Sequence, residues 1–263
     1  KKKMAGLKTK YWQILFGRLE AITSRLTTKT RNILLEQLTG NTSIAFTSKN
    51  AYAVVLWAVK NANRYYDEQL VTLFRELSTF EGVQNYKSNQ KTWERNNWRY
   101  KNERTHYALD YRFVVCKHNA IKKPDDYGDF RGSLSGTCHD LIADIIAVMS
   151  NLGFAVDSLF SQSRNRQWYA GQWEDFYILG GDVLFQVKAY LNGNLHFRFL
   201  PKAIRRLNIE AGRLLGWLQT VEEAVKETGY PVEEVEEAFR SNVRISPSNV
   251  KLLTCNEAER TTP

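Results

Sequence analysis

Two alternating hydrophobic runs meet at a turn within residues 183–200, which read VLFQVKAYLNGNLHFRFL. A period of two predicts two β-strands, each with one apolar and one polar face. A three-residue loop, Asn192–Asn194, keeps the two faces separate, whereas a two-residue loop would mix polar side chains with the core. The apolar face would then be formed by Val183, Phe185, Val187, Ala189, Leu195, Phe197 and Phe199.

The opposite face of this hairpin is polar. In the predicted register Lys188 lies opposite Arg198, and Tyr190 lies opposite His196. Like charges directly opposite each other are unfavourable unless they splay into water or an anion lies between them. Two interpretations follow: a solvated outer face, or a face that binds an anion or carries catalytic groups.

Helices and further strands flank the hairpin. Ser48 begins a predicted amphipathic helix that ends near Phe80 to Gly82, and a second helix extends from Thr137 to Leu152. Alternation over Tyr107 to Val115 and the run Phe176 to Leu179 predict two more strands. We expect an α+β fold in which long helices pack on a small antiparallel sheet.

The length of 263 residues fits one large domain. We expect residues 1–245 to form this single domain, with a helical part over 1–82 and a mixed part over 83–245. Residues 246–263 are polar and are expected to be a loosely ordered tail.

The turn and second strand, Asn192 to Phe199, are followed by a basic helix that contains Leu207 and Asn208. This pattern resembles the C-terminal hallmark of an uncharacterised family found in bacteria, phages and mobile elements. Members of that family often lie beside, or are fused to, DNA methyltransferase modules. The order of elements from about Ala51 to Leu207 is compatible with it. The resemblance implies a phage, plasmid or defence context and no particular reaction, and no methyltransferase glycine motif follows a strand in this sequence.

Charge is unevenly distributed along the chain. The chain has 37 lysine and arginine residues and 28 aspartate and glutamate residues. Residues 1–220 contain 32 of the basic residues and 19 of the acidic ones. A basic excess of this size favours nucleic acid or another polyanion as partner. The apolar stretches are too short to span a bilayer, so we expect no membrane partner. Three cysteines and the absence of a secretory h-region predict a reduced, cytoplasmic protein.

Aromatic and basic side chains are interleaved in two segments, Trp93 to Tyr107 and Arg164 to Trp173. Aromatic rings can stack on bases while cations contact phosphates. In the other interpretation the tryptophans anchor loops to the core. We predict a non-enzymatic, nucleic-acid-associated protein without a cofactor. Its predicted nucleic-acid-binding residues are Trp93, Arg95, Trp98, Arg99, Tyr100, Lys101, Arg104, Arg164, Arg166, Trp168, Lys188, His196 and Arg198.

Two other function classes remain open. Asp175 or Asp182 with Gln186 and Lys188 resembles the variant core of restriction-type nucleases, in which carboxylates would hold Mg²⁺. Glutamine in place of a second acid would weaken such a site. The third class is a protein-interaction module, whose aromatics bury against a protein partner or a second copy of the chain.

A zinc site would have to use Cys116, His118, Cys138 and His139. The adjacent Cys138 and His139 would point about 100° apart on a helix, so they cannot easily share one ion. We therefore predict no metal site.

Overall fold

The computed structural model describes residues 10–12, 14–15, 25–40, 45–90, 105–117, 119–122, 131–156 and 167–241. The predicted tail, residues 246–263, lies outside this set. The described residues divide into two compact units, one ending at Gln69 and the other extending from Leu70 to Ser241. None of the described helices combines the length and the apolarity needed to cross a membrane.

The first unit contains α1 (Thr28–Gly40) and the N-terminal part of α2 (Ser48–Leu77), within which the boundary falls. Gln69 is buried, accepts a 2.8 Å hydrogen bond from the Thr27 amide and donates one of 3.0 Å to the Arg25 carbonyl. The apolar core of this unit consists of Trp12, Leu26, Leu34, Ala58, Val59, Ala62, Tyr65 and Tyr66.

The second unit contains antiparallel sheets and further helices, which establishes the predicted α+β class. One sheet pairs β1 (Val83–Asn85) with β2 (Tyr107–Leu109). A second sheet has the strand order β4 (Ile121–Lys122), β5 (Arg131–Leu134) and β6 (Gln167–Tyr169). The strands of the four-stranded sheet lie in the order β3 (Arg112–Cys116), β9 (Asn194–Phe199), β8 (Val183–Ala189) and β7 (Trp173–Tyr177). The helices are α3 (Gly136–Asn151), α4 (Pro201–Leu214), α5 (Val221–Thr228) and α6 (Val232–Arg240).

The core of the second unit lies on the apolar face of the four-stranded sheet. Phenylalanine rings stack across neighbouring strands, with centroids 5.1 Å apart for Phe185 and Phe199 and 5.2 Å for Phe113 and Phe197. Side chains from the end of α2, from α3 and from α4 complete the cluster. The predicted apolar face is buried, except that Val183 is only half-buried.

The hairpin register differs from the predicted one by two residues. Ala189 pairs with Leu195 and Lys188 with His196, and the three-residue loop is 191–193. Within this loop, Gly193 adopts a positive φ of +94°. A two-residue shift preserves both faces, so the alternation alone could not detect it. Lys188 therefore does not lie directly opposite Arg198, as the predicted register required.

The predicted strand Tyr107 to Val115 is in fact two strands in different sheets. The alternation of apolar and polar residues continues through Asp110 and Tyr111, but the partner strand changes there from β1 to β9. The Asp110 amide donates a 2.6 Å hydrogen bond to the Gly82 carbonyl, and the Asp110 carboxylate accepts one of 2.6 Å from the Tyr111 amide. These local bonds end β2 and redirect the chain into β3.

Candidate nucleic-acid interface

The polar face of the four-stranded sheet brings charged residues from all four strands into two rows. Cross-strand pairing places Asp175, Gln186, Arg198 and Arg112 in one row. The second row is formed by Trp173, Lys188, His196 and Val114. Period-two alternation sends these side chains to the face opposite the phenylalanine core.

The indole ring of Trp173 contacts two cationic side chains on this face. The Lys188 Nζ atom is 4.7 Å from the indole centroid, and the guanidinium carbon of Arg198 is 4.3 Å from it. Cation–π attraction to the same ring stabilises two positive groups in proximity. The indole is half-buried, so part of it remains accessible to solvent.

Arg112 and Arg198 lie directly opposite each other on neighbouring strands, and both are exposed. Neither guanidinium forms an ion pair with any residue that the structure describes. Arg112 instead lies over the ring of Tyr111, 5.0 Å from its centroid. The predicted like-charge pair Lys188–Arg198 is therefore wrong, and Arg198 lies opposite Arg112 instead.

Asp175 supplies the negative charge in the first row. Its Oδ1 accepts a 2.8 Å hydrogen bond from Gln186 Nε2, and its Oδ2 accepts one of 3.2 Å from the Tyr177 hydroxyl. The hydrogen bond to this carboxylate raises the pKa of Tyr177. Asp175, Gln186 and Lys188 thus share one face, whereas Asp182 lies outside the strands, in the turn between β7 and β8.

His196 is half-buried between Lys188 and Tyr190. Its ring centroid is 4.8 Å from that of Tyr190, and Lys188 lies directly opposite on β8. Burial, and then the charge of Lys188, lower the pKa of His196. The imidazole is consequently neutral at neutral pH and becomes a further cation only at lower pH.

The structure brings together three of the predicted binding residues, Lys188, His196 and Arg198. It places Trp168 elsewhere: this side chain is 1 % exposed and belongs to the phenylalanine core, so stacking on a base from the surface is excluded in this conformation. Trp168 pairs with Gly132 across β5 and β6, and a glycine leaves room for an indole. The other predicted residues lie outside the described part of the chain: Trp93, Arg95, Trp98, Arg99, Tyr100, Lys101, Arg104, Arg164 and Arg166.

Arg112 of this face was missing from the prediction, and Trp173 was predicted only as the last residue of the basic-aromatic segment Arg164 to Trp173. Strand β7 begins at Trp173, three residues before the predicted strand Phe176 to Leu179. The alternation of Trp173 with Asp175 could have indicated this earlier start. Arg112 alternates with buried Phe113 in β3, but its partner strand is about 80 residues away along the chain. Nothing local in the sequence identifies that partner.

Among the described residues, no group of three or more histidine, cysteine, aspartate or glutamate side chains is placed to hold a metal ion. Cys116 is exposed on β3, while Cys138 is buried in α3. Burial raises the pKa of the Cys138 thiol. His118 of the zinc hypothesis lies outside the described residues.

Comparison with known proteins places the chain in a family. A search of curated proteins and a search of solved structures each found no match. The family model DUF4942, described as a domain of unknown function, matches residues 4–217. This match covers most of the chain and includes the whole polar face of the four-stranded sheet. The chain therefore belongs to the DUF4942 family.

Proposed function

We propose that this protein is a nucleic-acid-associated accessory protein of a phage, plasmid or defence system, acting in the cytoplasm. It binds the phosphate backbone and unpaired bases through the polar face of the four-stranded sheet. The cations of the two basic-aromatic segments, Arg95, Arg99, Lys101, Arg104, Arg164 and Arg166, extend the contact in this proposal, whereas the buried Trp168 takes no part in it. The family resemblance in residues 192–208 supports the mobile-element context and the association with DNA methyltransferase modules.

The observation that carries this proposal is the arrangement of Trp173, Lys188 and Arg198. Both cations lie over the indole, so they can contact phosphates while a base stacks on the part of the ring that stays exposed. The facing pair Arg112–Arg198 supports the same interpretation, because an anion between two like charges removes their repulsion. The formal net charge of +9 would also attract a polyanion at long range.

A metal-dependent nuclease is the second candidate function. It is favoured by the common face of Asp175, Gln186 and Lys188. Asp175 would be the metal ligand, and Lys188 would stabilise the attacked phosphate. Both Asp175 oxygens already accept hydrogen bonds from Gln186 and Tyr177, which makes this candidate the weaker of the two.

Fluorescence anisotropy with labelled single- and double-stranded DNA and RNA tests the proposal. We expect the protein to bind the labelled nucleic acids without cleaving them, both with and without Mg²⁺. Trp173→Ala should weaken binding by about 1 to 3 kcal/mol, because it removes one stacking platform. Trp57→Ala, a change at a partly exposed tryptophan of α2, is the matched control and should bind as the parent does.

The same assay separates the alternatives. Mg²⁺-dependent cleavage that is lost in Asp175→Asn would favour the nuclease. Absence of both binding and cleavage would contradict the nucleic-acid proposal and favour a protein-interaction module.

Binding should also depend on pH through His196. The lowered pKa keeps this ring neutral at neutral pH, and a bound phosphate would favour its protonated form. Affinity for an oligonucleotide should therefore rise a few-fold as the pH falls through the pKa of His196. We expect His196→Gln to remove this rise while leaving the affinity at pH 8 nearly unchanged. An equal pH dependence in both proteins would show that His196 does not face the ligand.

A further inference from the structure

The N-terminal half of α2 presents an apolar face to solvent. Tyr52 is 58 % exposed, and Leu56 and Trp57 are each 37 % exposed. Ala53, which lies between them, is exposed as well. The apolar side chains on the other side of the helix belong to the core of the first unit. The exposed face is therefore not needed to fold this unit, and it is accessible to a partner.

A lysine borders this face at each end. Lys49 and Lys60 are exposed, and they share a stripe of α2 with Leu56, at the helical spacing i, i+7 and i+11. At about 1.5 Å per residue, the two lysines are about 16 Å apart along the helix axis. A lysine stem can lie along apolar surface while its ammonium group extends beyond it. The face thus combines an apolar centre with a cation at either end.

The charge along this part of the chain is positive. The first turn of α2 contains no acidic residue, and the first acidic residue after Ser48 is Asp67. Through Gln69 the sequence has 12 lysine and arginine residues and 4 aspartate and glutamate residues, which accounts for +8 of the formal net charge of +9. The N-terminus of α2 adds the positive end of the helix dipole. These charges would repel a second copy of the same face and attract an anionic partner.

We propose that this face of α2 lies on an anionic lipid surface, with Tyr52, Leu56 and Trp57 at the boundary between headgroups and acyl chains. Tyrosine and tryptophan favour this boundary, and the lysine ammonium groups reach lipid phosphates beside it. The face of a single helix is convex, so a fluid bilayer adapts to it without a complementary groove. Nucleic acids are bound through cations and stacking, which would leave Leu56 and Ala53 unused.

This lipid contact is independent of the proposed nucleic-acid interface, because it uses a different unit of the chain. The expectation of no membrane partner came from the shortness of the apolar stretches. That shortness excludes a helix that crosses a bilayer. It does not exclude a helix that lies on the surface of one.

Co-sedimentation of the 263-residue chain with lipid vesicles tests the proposal. The vesicles contain either equal parts of phosphatidylglycerol and phosphatidylcholine, or phosphatidylcholine alone. We expect binding to the anionic vesicles and at least tenfold weaker binding to the neutral ones. Tyr52→Ser combined with Leu56→Ser keeps every charge and should weaken binding to the anionic vesicles at least tenfold, because it removes apolar burial. Its melting temperature should match that of the parent, since both side chains are exposed.

Leu179→Ser combined with Leu191→Ser is the matched control for the apolar variant. Both leucines are exposed, but they belong to the second unit. This control should bind the anionic vesicles as the parent does.

The lysines at the two ends of the face are tested separately. Lys49→Gln combined with Lys60→Gln should weaken binding to the anionic vesicles roughly 30-fold, since each lysine near such a surface contributes about fivefold. Lys87→Gln combined with Lys226→Gln changes two exposed lysines of the second unit and lowers the net charge equally. Its binding should stay within about twofold of the parent, because charges away from the surface are screened.

Three results would overturn the proposal. One is a parent protein that does not bind anionic vesicles, or that binds them no better than the Tyr52, Leu56 variant does. Another is a dimer of the parent, measured by sedimentation velocity, that dissociates in this variant, which would assign the face to a second copy. The third is an oligonucleotide affinity that falls in the same variant, which would assign the face to nucleic acid.

Discussion

Replacing Asn208 with leucine is expected to lower the free energy of unfolding by about 4 kcal/mol. Asn208 is completely buried in α4 and joins that helix to β2. Its Oδ1 accepts a hydrogen bond from the Leu109 amide, and its Nδ2 donates to the Leu109 carbonyl, both at 2.9 Å. Leucine would leave both backbone groups buried and unpaired, at a cost of about 1 to 3 kcal/mol each.

The Asn208 amide also donates a 2.9 Å hydrogen bond to the Tyr230 hydroxyl, so its loss affects the segment between α5 and α6 as well. Urea denaturation followed by circular dichroism measures the change. Asn61→Leu is the control, because Asn61 donates only to the carbonyl of Trp57, one turn earlier in its own helix. A loss below about 1 kcal/mol in Asn208→Leu would show that Leu109 finds other partners, and would contradict this role.

Phe197→Ala is expected to cost about 3 to 5 kcal/mol, because it removes a buried ring from the centre of the sheet core. Phe197 is 1 % exposed, and its ring stacks on Phe113 at 5.2 Å and lies 6.1 Å from Phe199. The cavity would lie between β3 and β9, which together carry Arg112 and Arg198. Nucleic-acid binding should therefore weaken along with stability.

Calorimetric unfolding measures the effect of Phe197→Ala. Phe80→Ala, at a side chain that is 39 % exposed, provides a comparison that should stay within about 1 kcal/mol of the parent. Similar losses in the two variants would mean that the phenylalanine stack contributes no more than ordinary surface packing.

The faces of the hairpin could be predicted from the sequence because burial and alternation share a period of two. The register could not, because a shift by two residues buries the same side chains. The conformation that the loop requires at Gly193 distinguishes the two registers. Gly193 adopts φ +94°, and a Cβ atom there would collide with the Lys117 carbonyl, so only glycine fits that position of the loop.

The candidate interface was predictable only in part, since it depends on contacts between distant segments. Lys188, His196 and Arg198 lie on one hairpin, where local alternation determines which side chains share a face. Arg112 joins them through the pairing of β3 with β9, which no local pattern specifies. Trp168 shows the opposite case. Its neighbours in sequence suggested a surface segment, but pairing with Gly132 buries its ring.

The salt dependence of oligonucleotide binding tests the proposed interface most directly. Each phosphate contacted by a cation contributes ~0.7 to 0.9 to the slope of log affinity against log salt. The double variant Arg112→Gln with Arg198→Gln should flatten this slope by about 1.4 to 1.8. The control pair Arg64→Gln with Arg75→Gln, at exposed positions of α2, should leave it unchanged. A slope that stays at the parental value in the sheet-face variant would contradict binding through this face.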